Sequence, residues 1–127
     1  IAFDEAGIAA FARATGDMNP LHHDPARAAR SRFGGIIASG SHTTALLLGT
    51  LAGWFKDQAE NVGLDYSVRF KAAIHAGDTV TMSWRIVAID FKPSLNGDIV
   101  EAEGEAVRPD GTVALKATAI AAIFHTG

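Results

Sequence analysis

Two carboxylates and two imidazoles fall within the ten residues Thr15-Gly16-Asp17-Met18-Asn19-Pro20-Leu21-His22-His23-Asp24. An acid and an imidazole held at a set separation can take a proton from one atom of a bound molecule and return it to another. Holding that separation needs a stiff backbone, and the residues for one are present. Gly16 can end a preceding helix with a positive φ. Pro20 restricts its own φ and pushes Asn19 into an extended conformation. The stretch therefore reads as a rigid loop that keeps Asp17 and His22 in fixed relation. A plainer reading is also open from the residues alone: Asp17 and Asn19 make local Asx-turn hydrogen bonds and His22 lies at the surface. His22-His23-Asp24 carries metal-ligand residue types. Adjacent side chains on an extended segment point to opposite sides, however, so no metal site is expected.

Composition limits what such a loop can belong to. With 127 residues the chain suits a single domain over 1–127, and at 48% apolar residues it has enough for one substantial core. There are 11 basic and 14 acidic residues, net −3, with no basic stripe, so nucleic acid is not an expected partner. The absence of cysteine excludes a disulfide framework, a thiol nucleophile and thiolate metal ligands. It fits a reducing compartment, and a cytoplasmic setting is expected. Ile1-Ala2-Phe3-Asp4 reads like chain interior, so a short preceding piece is expected. The uncharged run from Phe33 to Phe55 is interrupted by Gly, Ser, Thr and His, and reads as a buried helix with its lead-in, not a membrane span.

The elements that must position the loop follow from periodicity. Asp4 can cap a first helix with Ile8, Phe11 and Ala12 on one face and Gly16 as its stop. Asp24-Pro25 is an N-cap followed by Pro at the first helical position, opening a short helix through Arg30. Ser39 or Ser41 can cap a long helix from about Ser41 to about Gln58, apolar almost all round, which implies a helix wrapped by other structure. Its first turn offers free N–H groups and the positive end of the helix dipole. The period then changes to two. Strands are expected over Tyr66–Lys71, Thr79–Phe91, Ile99–Arg108 and Thr112–Phe124, with turns at Ala76–Asp78, Pro93–Asp98 and Pro109-Asp110-Gly111. Glu101, Glu103 and Glu105 mark a solvated strand face, and Trp54 and Trp84 are expected in the core. Helices first, then strands joined by short turns, predict an α+β fold whose mainly antiparallel sheet packs on the long helix.

This outline is that of a hot-dog fold, and the motifs sharpen the likeness. Gly16-Asp17-x-Asn19-Pro20-x-His22-x-Asp24 resembles the signature of the MaoC-like dehydratases, the family of the (R)-specific enoyl-CoA hydratases. Phe33-Gly34-Gly35-Ile36-Ile37-Ala38-Ser39-Gly40 resembles that family's block before the central helix. Phe70-Lys71-x-x-Ile74-x-x-Gly77-Asp78-Thr79-Val80 resembles its strand and turn after it. The first block is the most specific; the others support it by position.

The resemblance implies Asp17 and His22 as the catalytic pair, with Asn19, Ser39 and Gly40 at the substrate. It implies reversible hydration of a trans-2-enoyl thioester carried by CoA or an acyl carrier, no further cofactor, and a homodimer. One departure stands out: the residue before Gly40 is often His in hydratases of this family, and here it is Ser39, followed by Ser41-His42. The Gly40 N–H is the best candidate for an oxyanion donor, where a side chain would block the thioester. Two rivals remain. A hot-dog thioesterase would place an acid on the central helix, which has none between Gly40 and Phe55. A non-catalytic acyl-CoA-binding domain would keep the fold and lose the chemistry.

Overall fold

Three helices precede the sheet, as the change of period requires. In the computed structural model, which describes residues 1–57 and 59–125, they are α1 (Glu5–Ala14), α2 (Pro25–Ala29) and α3 (Gly40–Phe55). Asp4 caps α1 by accepting the Gly7 N–H, and Asp24 caps α2 by accepting that of Arg27. Ser39, and not Ser41, caps α3, accepting the N–H of His42. Gly16 stops α1 at φ 79°, with its own N–H bonded to Arg13 O and that of Asp17 to Ala12 O. This pair of bonds closes the helix end and aims the next residues away from its axis.

Strands β1 (Glu60–Phe70), β2 (Thr81–Lys92), β3 (Gly97–Val107) and β4 (Val113–Phe124) form one sheet in the order β1-β4-β3-β2, antiparallel throughout. β1 begins at Glu60 and not at Tyr66: Val62 and Leu64 continue the alternation of Tyr66, Val68 and Phe70, and pairing with β4 reaches back to Glu60 across a register shift between Gly63 and Asp65. The inner face of the two central strands is lined by small residues: Ala102, Gly104 and Ala106 on β3, Ala117 and Ala119 on β4. That hollow admits α3, which buries Leu47, Leu51 and Phe55. Each such side chain contributes about 1.5–3 kcal/mol by leaving water. Trp84 on β2 closes the seam, its indole N–H bonded to Leu47 O at 2.9 Å and to Thr50 Oγ at 3.1 Å. Gly104 opposes it, and a Cβ there would sit 2.5 Å from the indole ring.

One expectation is corrected: Trp54 is not in the core; it is 57% exposed, whereas Trp84 is packed. The central helix is seated in the sheet on one side, and Ala45, Gly49, Ala52, Gly53 and Trp54 leave the other side open. An apolar composition shows that a helix is buried somewhere, not how many of its sides one sheet covers. The Gln58 end expected for this helix lies outside the described residues. Glu101 and Glu103 are exposed between buried Val100, Ala102 and Gly104, as alternation requires.

Candidate active site

The loop after α1 is held from several directions, each by a residue in it. Asp17 Oδ1 accepts the N–H of Asn19 at 3.1 Å, and Asn19 Oδ1 accepts that of Leu21 at 3.1 Å, starting a single 3-10 turn over Pro20–His22. Asn19 thus braces the loop with its side-chain carbonyl. The ring of His23 donates from Nε2 to the Asp17 carbonyl at 2.7 Å. Sequence reasoning considered His23 only as a metal ligand; its role is to clamp the backbone of the acid. Among the described residues no group of three metal-ligating side chains converges.

The two residues singled out for proton transfer meet. His22 Nε2 lies 3.4 Å from Asp17 Oδ2. The imidazole is buried and the carboxylate side chain is 37% exposed, so the pair lies at the boundary between core and solvent. His22 Nδ1 is 2.7 Å from the Ile37 carbonyl. A carbonyl only accepts, so Nδ1 carries the proton and, in the neutral ring, Nε2 presents its lone pair toward Asp17. No sequence signal marks Ile37 for this task, because a main-chain oxygen belongs to every residue.

The same segment leads to the helix start. The Ile37 N–H donates to the Leu21 carbonyl at 3.1 Å and that of Ala38 to Ile74 O at 2.8 Å, so residues 36–38 tie the loop to the core three residues before Gly40. Gly40 is exposed and is the first residue of α3, where N–H groups have no intrahelical acceptor. A Cβ on Gly40 would lie 3.1 Å from the ring of Phe70, on the edge strand β1. The glycine therefore also makes room for an aromatic ring, a reason absent from the sequence reading. The Ser39 hydroxyl is buried, accepts the His42 N–H at 3.3 Å and lies 3.3 Å from Ser41 Oγ, so it is committed to the helix cap.

His42 fills the space behind the helix start, as core packing. Its ring stacks on Phe11 at 4.5 Å between centroids and meets Phe3 edge-on at 5.3 Å. Its Nδ1 is buried without a hydrogen-bond partner among the described residues. Burial pushes its pKa below the ordinary 6.5. The unfolded chain then binds a proton that the folded one refuses, so stability is full above about pH 6.5 and is lost as pH falls below it, by at most about 1.4 kcal/mol per unit. Denaturant unfolding between about pH 8 and pH 5 is expected to show this loss, and His42→Leu to flatten it. An unchanged slope in His42→Leu would assign the loss to other groups.

A helix seated in an antiparallel sheet defines a hot-dog protein, and in this one an acid and an imidazole, Asp17 and His22, meet on a loop ahead of that helix. The chain belongs to the MaoC-like dehydratase family: the family model described as the MaoC-like domain matches residues 1–108. Among relatives, the (R)-specific enoyl-CoA hydratase of Aeromonas caviae is 36% identical over 87 residues, 68% of this chain and 64% of that protein. Nodulation protein N of Rhizobium meliloti is 41% identical over 85 residues, 63% of this chain and 53% of that protein. The chain thus spans less than two thirds of the length of either. A solved structure of the (R)-hydratase from A. caviae involved in PHA biosynthesis matches with a TM-score of 0.83 at 28% identity, covering 97% of this chain and 89% of that one. Among the described residues no helix is long and apolar enough to cross a membrane.

Proposed function

We propose that this chain is a hydro-lyase that adds water reversibly across the 2,3 double bond of a trans-2-enoyl thioester to give the (R)-3-hydroxyacyl thioester. The observation that carries the reading is the 3.4 Å approach of His22 Nε2 to Asp17 Oδ2, with His22 Nδ1 held by a carbonyl. Two acceptors at that separation are bridged by one water donating a hydrogen to each. The water oxygen then keeps its lone pairs for carbon. As that oxygen bonds to C3, one of its protons passes to the pair and the pair delivers a proton to C2, so the product contains all three atoms of the water and the site returns to its starting state.

The electrons of the double bond move onto the thioester oxygen during this step. The Gly40 N–H, with the dipole of the 16-residue α3 behind it, is the donor for that charge. Asn19 keeps the loop in shape, and Ser39 acts by holding the helix start. The chain's own residues suffice for this chemistry, so no cofactor is invoked beyond the thioester itself. The (R) outcome is taken from the name of the A. caviae relative. A thioesterase is disfavoured because α3, Gly40–Phe55, contains no Asp or Glu to activate water there.

A homodimer belongs to the same reading. β1 is a sheet edge whose Val62, Leu64, Tyr66 and Phe70 are exposed, and the uncovered side of α3 carries small residues. Such an edge needs cover in a stable protein. One preparation tests both parts. The purified protein should lower the ultraviolet absorbance contributed by the conjugated enoyl thioester of crotonyl-CoA without releasing free thiol, and should scatter light as twice the chain mass. Release of CoA thiol at the rate of absorbance loss would replace hydratase by thioesterase; binding of crotonyl-CoA without turnover would leave only a binding domain.

A further inference from the structure

Between Asp24 and Lys56 the only charged side chains are Arg27, Arg30 and Arg32, in a chain of net charge −3. Two of them share a concavity. Arg27 and Arg30, with Ser31, line one side of an open recess of about 350 Å³ whose other side is Asn19, Pro20 and Leu21. Those three residues belong to the loop that carries Asp17 and His22, so the recess adjoins the proposed reaction site through a shared wall.

The arginines are exposed, and among the described residues no carboxylate pairs with either guanidinium. Two other arginines are matched, whereas Arg13, Arg32 and Arg69 share the lack of a carboxylate partner among the described residues but do not line this recess. Arg85 meets Glu103 at 2.9 Å on the outer face of the sheet, and Arg108 meets Asp110 at 2.6 Å beside the β3–β4 turn. The segment bearing Arg27 and Arg30 is held firmly. Ala28 between them is fully buried, Asp24 Oδ1 accepts the Arg27 N–H at 3.1 Å, and the Ser31 hydroxyl donates to Ala28 O at 2.6 Å. Two unpaired guanidiniums on a fixed support form a receptor for a phosphate, which accepts forked hydrogen bonds from Arg.

We propose that Arg27 and Arg30 bind phosphate on the pantetheine carrier of the thioester substrate. The proposal rests on the hydratase reading of the neighbouring loop and extends it: the acyl end lies at Asp17 and His22, and the anionic end lies in the arginine recess. The shared ligand chemistry is a phosphorylated pantetheine, present both in CoA and in the prosthetic group of an acyl carrier protein.

The test compares the wild type with Arg27→Ala/Arg30→Ala on four crotonyl thioesters: of CoA, of 4′-phosphopantetheine, of an acyl carrier protein, and of unphosphorylated pantetheine. The double variant is expected to raise KM for crotonyl-CoA by about tenfold or more at unchanged kcat, and to leave the unphosphorylated thioester unaffected. Losses on all three phosphorylated substrates assign the recess to the 4′-phosphate; a loss on crotonyl-CoA alone assigns it to the phosphates of its nucleotide part. A loss on the carrier-protein substrate without one on 4′-phosphopantetheine makes the recess a protein-docking surface and overturns the proposal. Equal effects on phosphorylated and unphosphorylated substrates, or no effect, also overturn it. Arg27→Lys/Arg30→Lys should recover part of the loss. If the wild type hydrates none of the four, the hydratase reading fails separately. Calorimetric binding of free CoA then decides the recess: weaker binding in the Ala variant upholds it, and equal binding rejects it.

Discussion

Asp17→Asn is expected to slow crotonyl-CoA hydration by roughly two to four orders of magnitude while leaving thermal stability unchanged. The amide keeps an oxygen for the Asn19 N–H that Asp17 Oδ1 now accepts, and the side chain is 37% exposed, so the loop has no reason to move. What is lost is an acceptor that can hold a proton. His22→Ala should cost a similar factor in rate, and here stability also falls. The ring is buried, and its Nδ1–H is bonded to the Ile37 carbonyl at 2.7 Å. Removing it strands that acceptor at a cost of about 1–3 kcal/mol. His22→Gln can retain a donor toward Ile37 and should recover stability without recovering rate. The double variant should be little slower than either single one, because the two groups handle the same proton. Absorbance assays and thermal unfolding on the same preparations read both quantities. Wild-type rates in Asp17→Asn and His22→Ala, on a substrate the parent turns over, would end the assignment.

The second large effect is expected at Gly40, where one substitution can remove the N–H and keep the helix. Gly40 is the first residue of α3, a position proline favours. Ser39 before it has φ −67° and ψ 152°, the conformation a residue preceding proline adopts. Gly40→Pro should therefore preserve helical content and lower kcat by about 10²–10³, the worth of one oxyanion donor. Gly40→Ala is the control for bulk. Its Cβ would come 3.1 Å from the ring of Phe70, which is exposed and can shift, so a loss below about tenfold is expected. Equal rates in the Pro and Ala variants would show that this N–H does not serve the oxyanion.

What could be read from the residues alone is what is encoded locally. Gly16, Asn19 and Pro20 announce a stiff loop because each restricts its own or its neighbour's backbone, and Asp17 and His22 do meet on it. Asp4, Asp24 and Ser39 cap their helices for the same reason. Pro109-Asp110-Gly111 turns β3 into β4, with Gly111 at φ 85°. Contacts between distant segments were not legible. The alternation of Val62 and Leu64 with Asn61, Gly63 and Asp65 is short and contains a glycine, and the register that carries Glu60–Asp65 into β1, with its shift between Gly63 and Asp65, is supplied by β4. Trp54 was misjudged because helical period identifies a face without saying whether the same chain covers it. The Ile37 carbonyl, the Phe70 ring over Gly40 and the His23 clamp all come from residues whose types advertise no such role.

The hold on His22 has an implication for how such a site can change over generations. A carboxylate partner for an imidazole vanishes with one base change, but a peptide oxygen survives every replacement of the side chain that bears it. Position 37 is therefore free to drift in identity so long as Ile36 and Ala38, both buried, keep that peptide where it is. Part of the machinery is written into the path of the chain, and mutational scanning of side chains would pass over it in silence.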